Sequence, residues 1–304
     1  MGKMTKKRKI SIGLPILNGE KFIKKKIESL LTQNTVDCEI IISDNKSTDL
    51  TAKICKEYSL KDDRIQFFEQ PKRILAIENF AFVLDKAKNE FFVWTAVDDF
   101  FQPGYLKKSI DILENNKNIV CSGCKLKLFG ETTSKNEIER NDSFLKKILK
   151  KNLEKFGHMN MYPASGLYET RIREYIKNFR HNQIFYGVYR TEQIRQAFVK
   201  SDFYGQDGCT IFNLLKFGEL NVLDENLMSV YDGGISRKGM IGLTKSLKYD
   251  KFNTIFPSYQ FTKWCEKNLG SKIFLKNLGF FIKINFISEM SLLVDISRKI
   301  LRIC

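Results

Sequence analysis

Four short apolar runs separated by helical stretches fill the first 130 residues, and this alternation constrains the fold more than any other feature. Ile10–Leu17 reads as a buried strand. Glu20–Gln33 reads as a helix, with Phe22, Ile23, Ile27, Leu30 and Leu31 recurring at helical spacing. Glu39–Ser43 is an Ile-rich strand closed by the polar turn Asp44-Asn45-Lys46-Ser47-Thr48-Asp49. Leu50–Tyr58 follows as a helix, with Ser47 or Thr48 as its expected N-cap. Arg64–Glu69, Leu75–Ala87, Glu90–Ala96 and Tyr105–Asn115 continue as strand, helix, strand and helix, and Asp98-Asp99 closes the last strand. Short apolar strands with helical crossovers require an α/β fold, a mostly parallel sheet covered on both faces. Ligands of such sheets bind outside the carboxyl ends of the strands. That rule singles out Asn18, Asp44 and Asp98.

The pattern loosens beyond about residue 130. Glu131–Asp142 is charged and reads as a loop. A Tyr/Phe-rich segment covers 184–190, a helix is expected near Gly208–Phe217 and a strand near Glu219–Leu223. After Gly242 the chain reads as helical. In the Phe/Ile/Leu-dense stretch Ile273–Ile303, Phe286, Met290, Leu293 and Ile300 fall on one helix face, with Glu289, Asp295, Arg298, Lys299 and Arg302 mostly elsewhere.

The formal charge of +16 is unevenly placed. Residues 1–9 carry five basic and no acidic side chains, and 237–304 carry thirteen basic against four acidic, so 10–236 is only +2. A neutral body with basic ends suits an anionic surface met by the termini and argues against a nucleic-acid groove. The apolar run after the basic start is cut by Pro15 and followed by Asn18, Gly19 and Glu20, too short and broken for a signal peptide. No segment reaches ~18 uncharged apolar residues. Seven cysteines without secretory spacing indicate a reducing cytoplasm. Cys121 and Cys124 form a lone C-x-x-C far from the two histidines, His158 and His181. They read as buried thiols on a strand and not as a zinc site.

Three strand-end clusters carry the chemistry: Leu14-Pro15-Ile16-Leu17-Asn18-Gly19-Glu20; Glu39–Asp49; and Phe92–Leu106, with Trp94-Thr95-Ala96-Val97-Asp98-Asp99 inside it. In this order and spacing they resemble the family 2 glycosyltransferases, and Trp-x-Ala-x-Asp-Asp is similar to the form found in a subset of them. The resemblance is strong over about 8–125, weaker over 184–236 and lapses beyond about 245. It implies a GT-A fold: a nucleotide-binding half at about 10–125, an acceptor half at about 126–240, a basic tail at 1–9 and a helical extension at 241–304. It further implies a nucleotide-diphosphate sugar donor, UDP-linked. Asp44 is then expected at the base, Pro15, Asn18 and Glu20 beside the nucleotide, Asn79 at the donor, and Asp98 with Asp99 at a divalent metal, Mn²⁺ or Mg²⁺. Hard cations take oxygen ligands and would bridge the diphosphate. Ala96 departs from the family pattern, because it stands where the first acid of the metal element is expected.

The same resemblance places Asp207, in Tyr204-Gly205-Gln206-Asp207, at the general base of an inverting hexosyl- or N-acetylhexosaminyltransferase. It also places Arg237, after Gly233-Gly234, near the diphosphate. The bland alternatives are a helix N-cap for Asp207 and a solvated turn for Asp98-Asp99. A further alternative is a non-catalytic nucleotide-sugar-binding relative that lost its metal with the Ala96 change. The expected acceptor is a glycan or lipid-linked glycan in surface polysaccharide assembly. The expected location is the cytoplasm, with 273–304 peripheral on the inner face of the membrane, where cations beside an apolar face meet anionic lipid.

Overall fold

The computed structural model describes residues 9–33, 37–130, 160–179, 182–231, 239–247 and 249–300. Strand β1 (Lys9–Ile16) lies between β2 (Asp37–Asp44) and β4 (Phe91–Trp94), parallel to both, and β3 (Ile65–Glu69) pairs parallel with β2. Ile10, Ile12 and Leu14 are fully buried, as expected of a strand with neighbours on both sides and helices over its faces. The crossovers are α1 (Glu20–Leu31), α2 (Thr51–Ser59) and α3 (Ala76–Lys86). α1 packs on α2, and α3 lies across β1 and β2.

After β5 (Phe100–Phe101), α4 (Tyr105–Asn115) and β6 (Ile119–Phe129), the sheet is completed by β7 (Val188–Arg190) and β8 (Glu219–Tyr231). Its order is β3-β2-β1-β4-β7-β6-β8-β5. β7 runs antiparallel between β4 and β6, β5 runs antiparallel to β8, and β6 and β8 are parallel. The sheet is thus mixed α/β and mostly parallel, as expected. β8 extends well past the expected Leu223. Its apolar pattern is interrupted where the register with β6 shifts around Lys125, leaving Asp224 and Glu225 as an exposed bulge paired to Lys125 and Lys108. β4 ends earlier than expected, because the chain turns after Trp94 to form the Asp98-Asp99 turn. Residues 131–142 lie outside the described set.

The second half adds α5 (Tyr168–Lys177), a 3₁₀ turn (Gln183–Tyr186), α6 (Thr191–Ala197), α7 (Gln206–Leu214), α8 (Gly239–Ser246), α9 (Lys251–Ile255), α10 (Tyr259–Asn268), α11 (Ser271–Lys276) and α12 (Leu278–Ile300). An aromatic cluster of Phe179, Phe212, Phe261, Phe280 and Phe281 joins the C-terminal helices to α7. Phe281, Ser288 and Leu292 give α12 its buried face. Phe286, Met290 and Leu293 do share a face, and it is exposed. The side chains of Ile300, Arg298, Lys299 and Arg302 lie outside the described residues. Asp295 accepts the N–H groups of Met240 (2.5 Å) and Ile241 (3.3 Å), tying α12 to the start of α8. Cys121 and Cys124 are buried free thiols on β6, as expected, and burial pushes Cys124 up to about 12.

Gly218 precedes β8 where a Cβ would lie 2.2 Å from the Asn118 carbonyl oxygen, whereas one at Gly279 would meet nothing within 4 Å. Backbone cannot move aside as a side chain does. Gly218→Ala is therefore expected to cost about 1–3 kcal/mol, and Gly279→Ala to leave Tm unchanged or slightly raised. Thermal denaturation of the two variants checks the contrast.

Candidate functional site

The in-register pairing of β1, β2 and β3 brings Ile16, Asp44 and Glu69 level at the carboxyl edge. Asn18 (φ 51°) and Lys46 (φ 60°) turn the chain there through the left-handed region, which Asn tolerates better than most residues. The two turns are stitched to each other. Asn18 Oδ1 accepts from Thr48 N (2.9 Å), and Asn18 N donates to Ser47 Oγ (2.8 Å). Gly19 N donates to Thr51 Oγ1 (2.8 Å), Glu20 N to Asp49 Oδ2 (3.1 Å), and Leu50 N to Glu20 Oε2 (3.2 Å). The side chains of Asn18 and Glu20 are therefore occupied in shaping the bay.

Asp44 is fully buried, accepting both the N–H (2.9 Å) and the hydroxyl of Ser47. Ser47 thus closes this turn and does not cap α2. Thr48 does not cap α2 either: Leu50 occupies the N-cap position, and Asp49, one residue before it, accepts from Thr51 N (3.0 Å) and Thr51 Oγ1 (2.5 Å). Asn79 is buried beneath β2, accepting from Ser43 Oγ (2.6 Å) and donating to the Ser43 carbonyl (3.0 Å). Pro15 lies in β1 opposite Ser43.

At the end of β4, Thr95 N donates to the Gly13 carbonyl (2.9 Å) and the chain turns through Ala96 and Val97. Asp98 is half-buried. Asp99 is only 5% exposed and accepts the Tyr231 N–H (3.1 Å). Beneath them lies a residue that the motif reading missed. Lys26, on α1, is fully buried, and its ammonium donates to Thr95 Oγ1 (2.5 Å) and to the Asp99 carbonyl. Burial pulls Lys26 down to about 7, against the raising effect of Asp99 and Asp98. Burial likewise pushes Asp99 up to about 6, reinforced by Asp98 and opposed by the Tyr231 N–H and Lys26. A signal was present, since Lys26 falls within the stripe Ile23, Ile27, Leu30, but the neighbouring Lys24 and Lys25 make it look like part of a solvated run.

The segment expected to face the acceptor is built on α7. Gly205, in the left-handed region (φ 88°), is its N-cap, so Asp207 sits inside the first turn and is not the cap. There the helix dipole favours its negative charge. Burial pushes the Asp207 carboxyl above its ordinary range, opposed by Asn182 and by the Gly208 N–H (2.9 Å). Tyr175 donates its hydroxyl to Asn182 Oδ1, fixing that amide. Tyr186 joins the two acidic regions. Burial raises its phenol, and the charges of Asp99, Asp207 and Asp98 add to the effect in that order. Phe185, stacked on Trp94 at 4.7 Å, holds the 3₁₀ turn that presents Tyr186. The charges of Asp98, Asp99 and Asp207 are thus all felt at one tyrosine. Arg237 lies outside the described residues.

Among the described residues no group of three His, Cys, Asp or Glu could hold a metal by itself. Ala96 has no side-chain oxygen and Asp99 faces Tyr231, which leaves Asp98 as the half-exposed carboxylate of the turn. Asp98 is the side chain of this turn that would offer a carboxylate oxygen to a hard divalent cation.

The chain is 26% identical over 303 residues (96% of this chain, 88% of the relative) to the Methanococcus voltae "Dolichyl N-acetyl-alpha-D-glucosaminyl phosphate 3-beta-D-2,3-diacetamido-2,3-dideoxy-beta-D-glucuronosyltransferase". It is 25% identical over 233 residues (74% of this chain, 71% of the relative) to the Campylobacter jejuni "GalNAc(5)-diNAcBac-PP-undecaprenol beta-1,3-glucosyltransferase". Other relatives are matched over less of their length, 14% of one and 38% of another. The S. aureus TarS 1-349 structure in complex with UDP superposes with a TM-score of 0.55 at 16% identity, covering 85% of this chain and 72% of that one. That likeness shows a shared GT-A fold. The model of the family described as "Glycosyl transferase family 2" matches residues 11–180, which hold the stitched turns and the acid turn. With more than half of its length matched, the chain belongs to glycosyltransferase family 2.

Proposed function

We propose that the protein is an inverting glycosyltransferase of the hexosyl or N-acetylhexosaminyl type. In this reading it moves a sugar from a UDP-linked donor to a lipid-linked glycan in surface polysaccharide assembly. The observation that carries this reading is that the 3₁₀ turn bearing Tyr186 leads into β7 beside the carboxyl end of β4, where the acid turn begins, and packs on α7, which bears Asp207. The names of the dolichyl and undecaprenol relatives support a lipid-linked acceptor.

The nucleoside lies over the ends of β1 and β2, against the backbone around Pro15 and the turns that Asn18, Glu20 and Asn79 brace. Asp44 reaches the base by exchanging its Ser47 bonds, and otherwise holds the turn. Asp98 takes the diphosphate end, and Arg237 belongs to the same reading. Asp98 would hold a divalent cation, whose chemistry would be to neutralise charge on the leaving group. Asp207 accepts the proton of the acceptor hydroxyl as that oxygen bonds to the anomeric carbon. The carbon–oxygen bond to the diphosphate breaks, and UDP leaves with the electron pair. A carboxylate made more basic by burial suits this step.

Ala96 and the inward Asp99 favour one second reading, a chain that binds nucleotide sugar without turning it over. UDP binding in calorimetry with no transfer or donor hydrolysis at any pH would establish that reading in place of the first.

α12 presents an exposed apolar face of Leu278, Ile282, Phe286, Met290, Leu293 and Ile296 along a helix of ~34 Å. No helix among the described residues is long and apolar enough to cross a membrane. Within a stretch carrying thirteen basic and four acidic residues, this face fits the surface of an anionic leaflet beside a lipid-linked acceptor.

Three results are expected. Asp207→Asn lowers kcat by ~10²–10⁴ while UDP affinity stays within about twofold. Because Asp207 must be unprotonated to act, parent kcat/KM falls as pH drops through its raised pKa, so the acid limb lies above the ordinary ~3.9. Phe286→Glu combined with Leu293→Glu abolishes co-sedimentation with phosphatidylglycerol vesicles and leaves the circular dichroism unchanged. Parent protein that fails to bind those vesicles overturns the membrane reading.

A further inference from the structure

A buried lysine needs a reason. Removing an ammonium from water costs several kcal/mol unless its donors find oxygen partners. Lys26 is 0% exposed, and its Nζ lies 5.0 Å from the Phe101 ring centroid and 5.6 Å from that of Phe100. The two oxygens it reaches are informative because they belong to one five-residue turn. Thr95 Oγ1 is at its first residue and the Asp99 carbonyl at its last. Within that turn, backbone bonding consists of a long contact from Asp99 N to the Ala96 carbonyl (3.4 Å). The segment that presents Asp98 is therefore closed from beneath by a side chain.

We propose that Lys26 is a positioning residue that clips the 95–99 turn shut from α1 and so sets the direction of Asp98 toward the donor diphosphate. Ala96 makes this clip consequential, since the turn has no carboxylate at that position to be ordered by a ligand. The opposite end of α1 is bound to the β2–α2 turn through Gly19, Glu20, Asp49 and Thr51. From Glu20 to Lys26 a rigid helix rises ~9 Å. α1 thus works as a spacer, fixing the separation between the nucleoside bay and the diphosphate end. Asp99 continues the connection, because its carboxylate holds the Tyr231 N–H at the end of β8. The inference rests on the nucleotide-sugar reading for its ligand, and on the hydrogen bonds alone for the clip.

Lys26→Met keeps the length and removes the donors. Thr95→Val keeps the shape of residue 95 and removes one acceptor, which carries the test if the lysine variant folds poorly. Calorimetry with UDP and with uridine, both with Mn²⁺, isolates the diphosphate contribution. Hydrogen exchange reads the turn directly. Both variants are expected to lose at least tenfold of the preference for UDP over uridine, with uridine affinity within twofold of parent. Amide exchange over 95–99 should rise at least tenfold, and Thr95→Ser, which retains the hydroxyl, should behave as parent. Folded variants with parent-like UDP preference and parent-like exchange over 95–99 overturn the proposal. A parent that fails to distinguish UDP from uridine overturns the donor reading instead, and the exchange data still decide the clip.

Discussion

A strand with partners on both sides and helices over its faces leaves its polar chemistry to its ends. β1 is in that position, and its parallel register with β2 and β4 delivers the ends of three strands to one edge. Each end is followed at once by residues that must satisfy the emerging backbone: Asn18 and Gly19 after β1, Asn45 to Asp49 after β2, Thr95 to Asp99 after β4. The site consists of those turns, and its geometry follows from the sheet beneath it.

Burial sets the chemistry of the edge. Lys26, Asp99 and Asp207 are each shifted toward their uncharged forms chiefly by loss of water, and each is opposed by named partners. For Asp99 the partners are Lys26 and the Tyr231 N–H. For Asp207 they are Asn182 and the Gly208 N–H. One fold thereby keeps one acid inward as a brace and presses another toward basicity. The aromatic layer of Trp94, Phe185 and Phe80 connects the two regions by fixing the turn that carries Tyr186.

The architecture of residues 10–115 was legible because the short apolar runs and the period-3.6 helices between them were clean and the polar turns were long. The boundaries that moved did so where side chains outside the local window decided them. β8 runs past Leu223 because its bulge places Asp224 and Glu225 beside Lys125 and Lys108. Neither Ser47 nor Thr48 caps α2, since Ser47 is drawn to Asp44 and Thr48 N to Asn18, and the helix begins after Leu50 with Asp49 bonding Thr51. The acids of the site were visible as residue types at strand ends, but their partners were not. Lys26 is seventy residues from the turn it closes, and Tyr186 and Asn182 lie in a stretch with little periodicity. Contacts between residues so far apart in sequence leave no local signature.

By itself the sequence determined that Asn18, Asp44 and Asp98 stand at or just beyond the carboxyl ends of strands, and that the chain's excess charge lies at its termini. Both follow from patterns readable within a few residues or from counting. Only the tertiary structure decided how these polar groups are engaged: Asn18 and Glu20 stay exposed while bonding the β2–α2 turn, Asn79 is buried beneath β2, Asp98 is left half-exposed, and Lys26 is buried beneath it. That division depends on which oxygen lies within 3 Å of which donor, a property of folded distance that residue order does not contain.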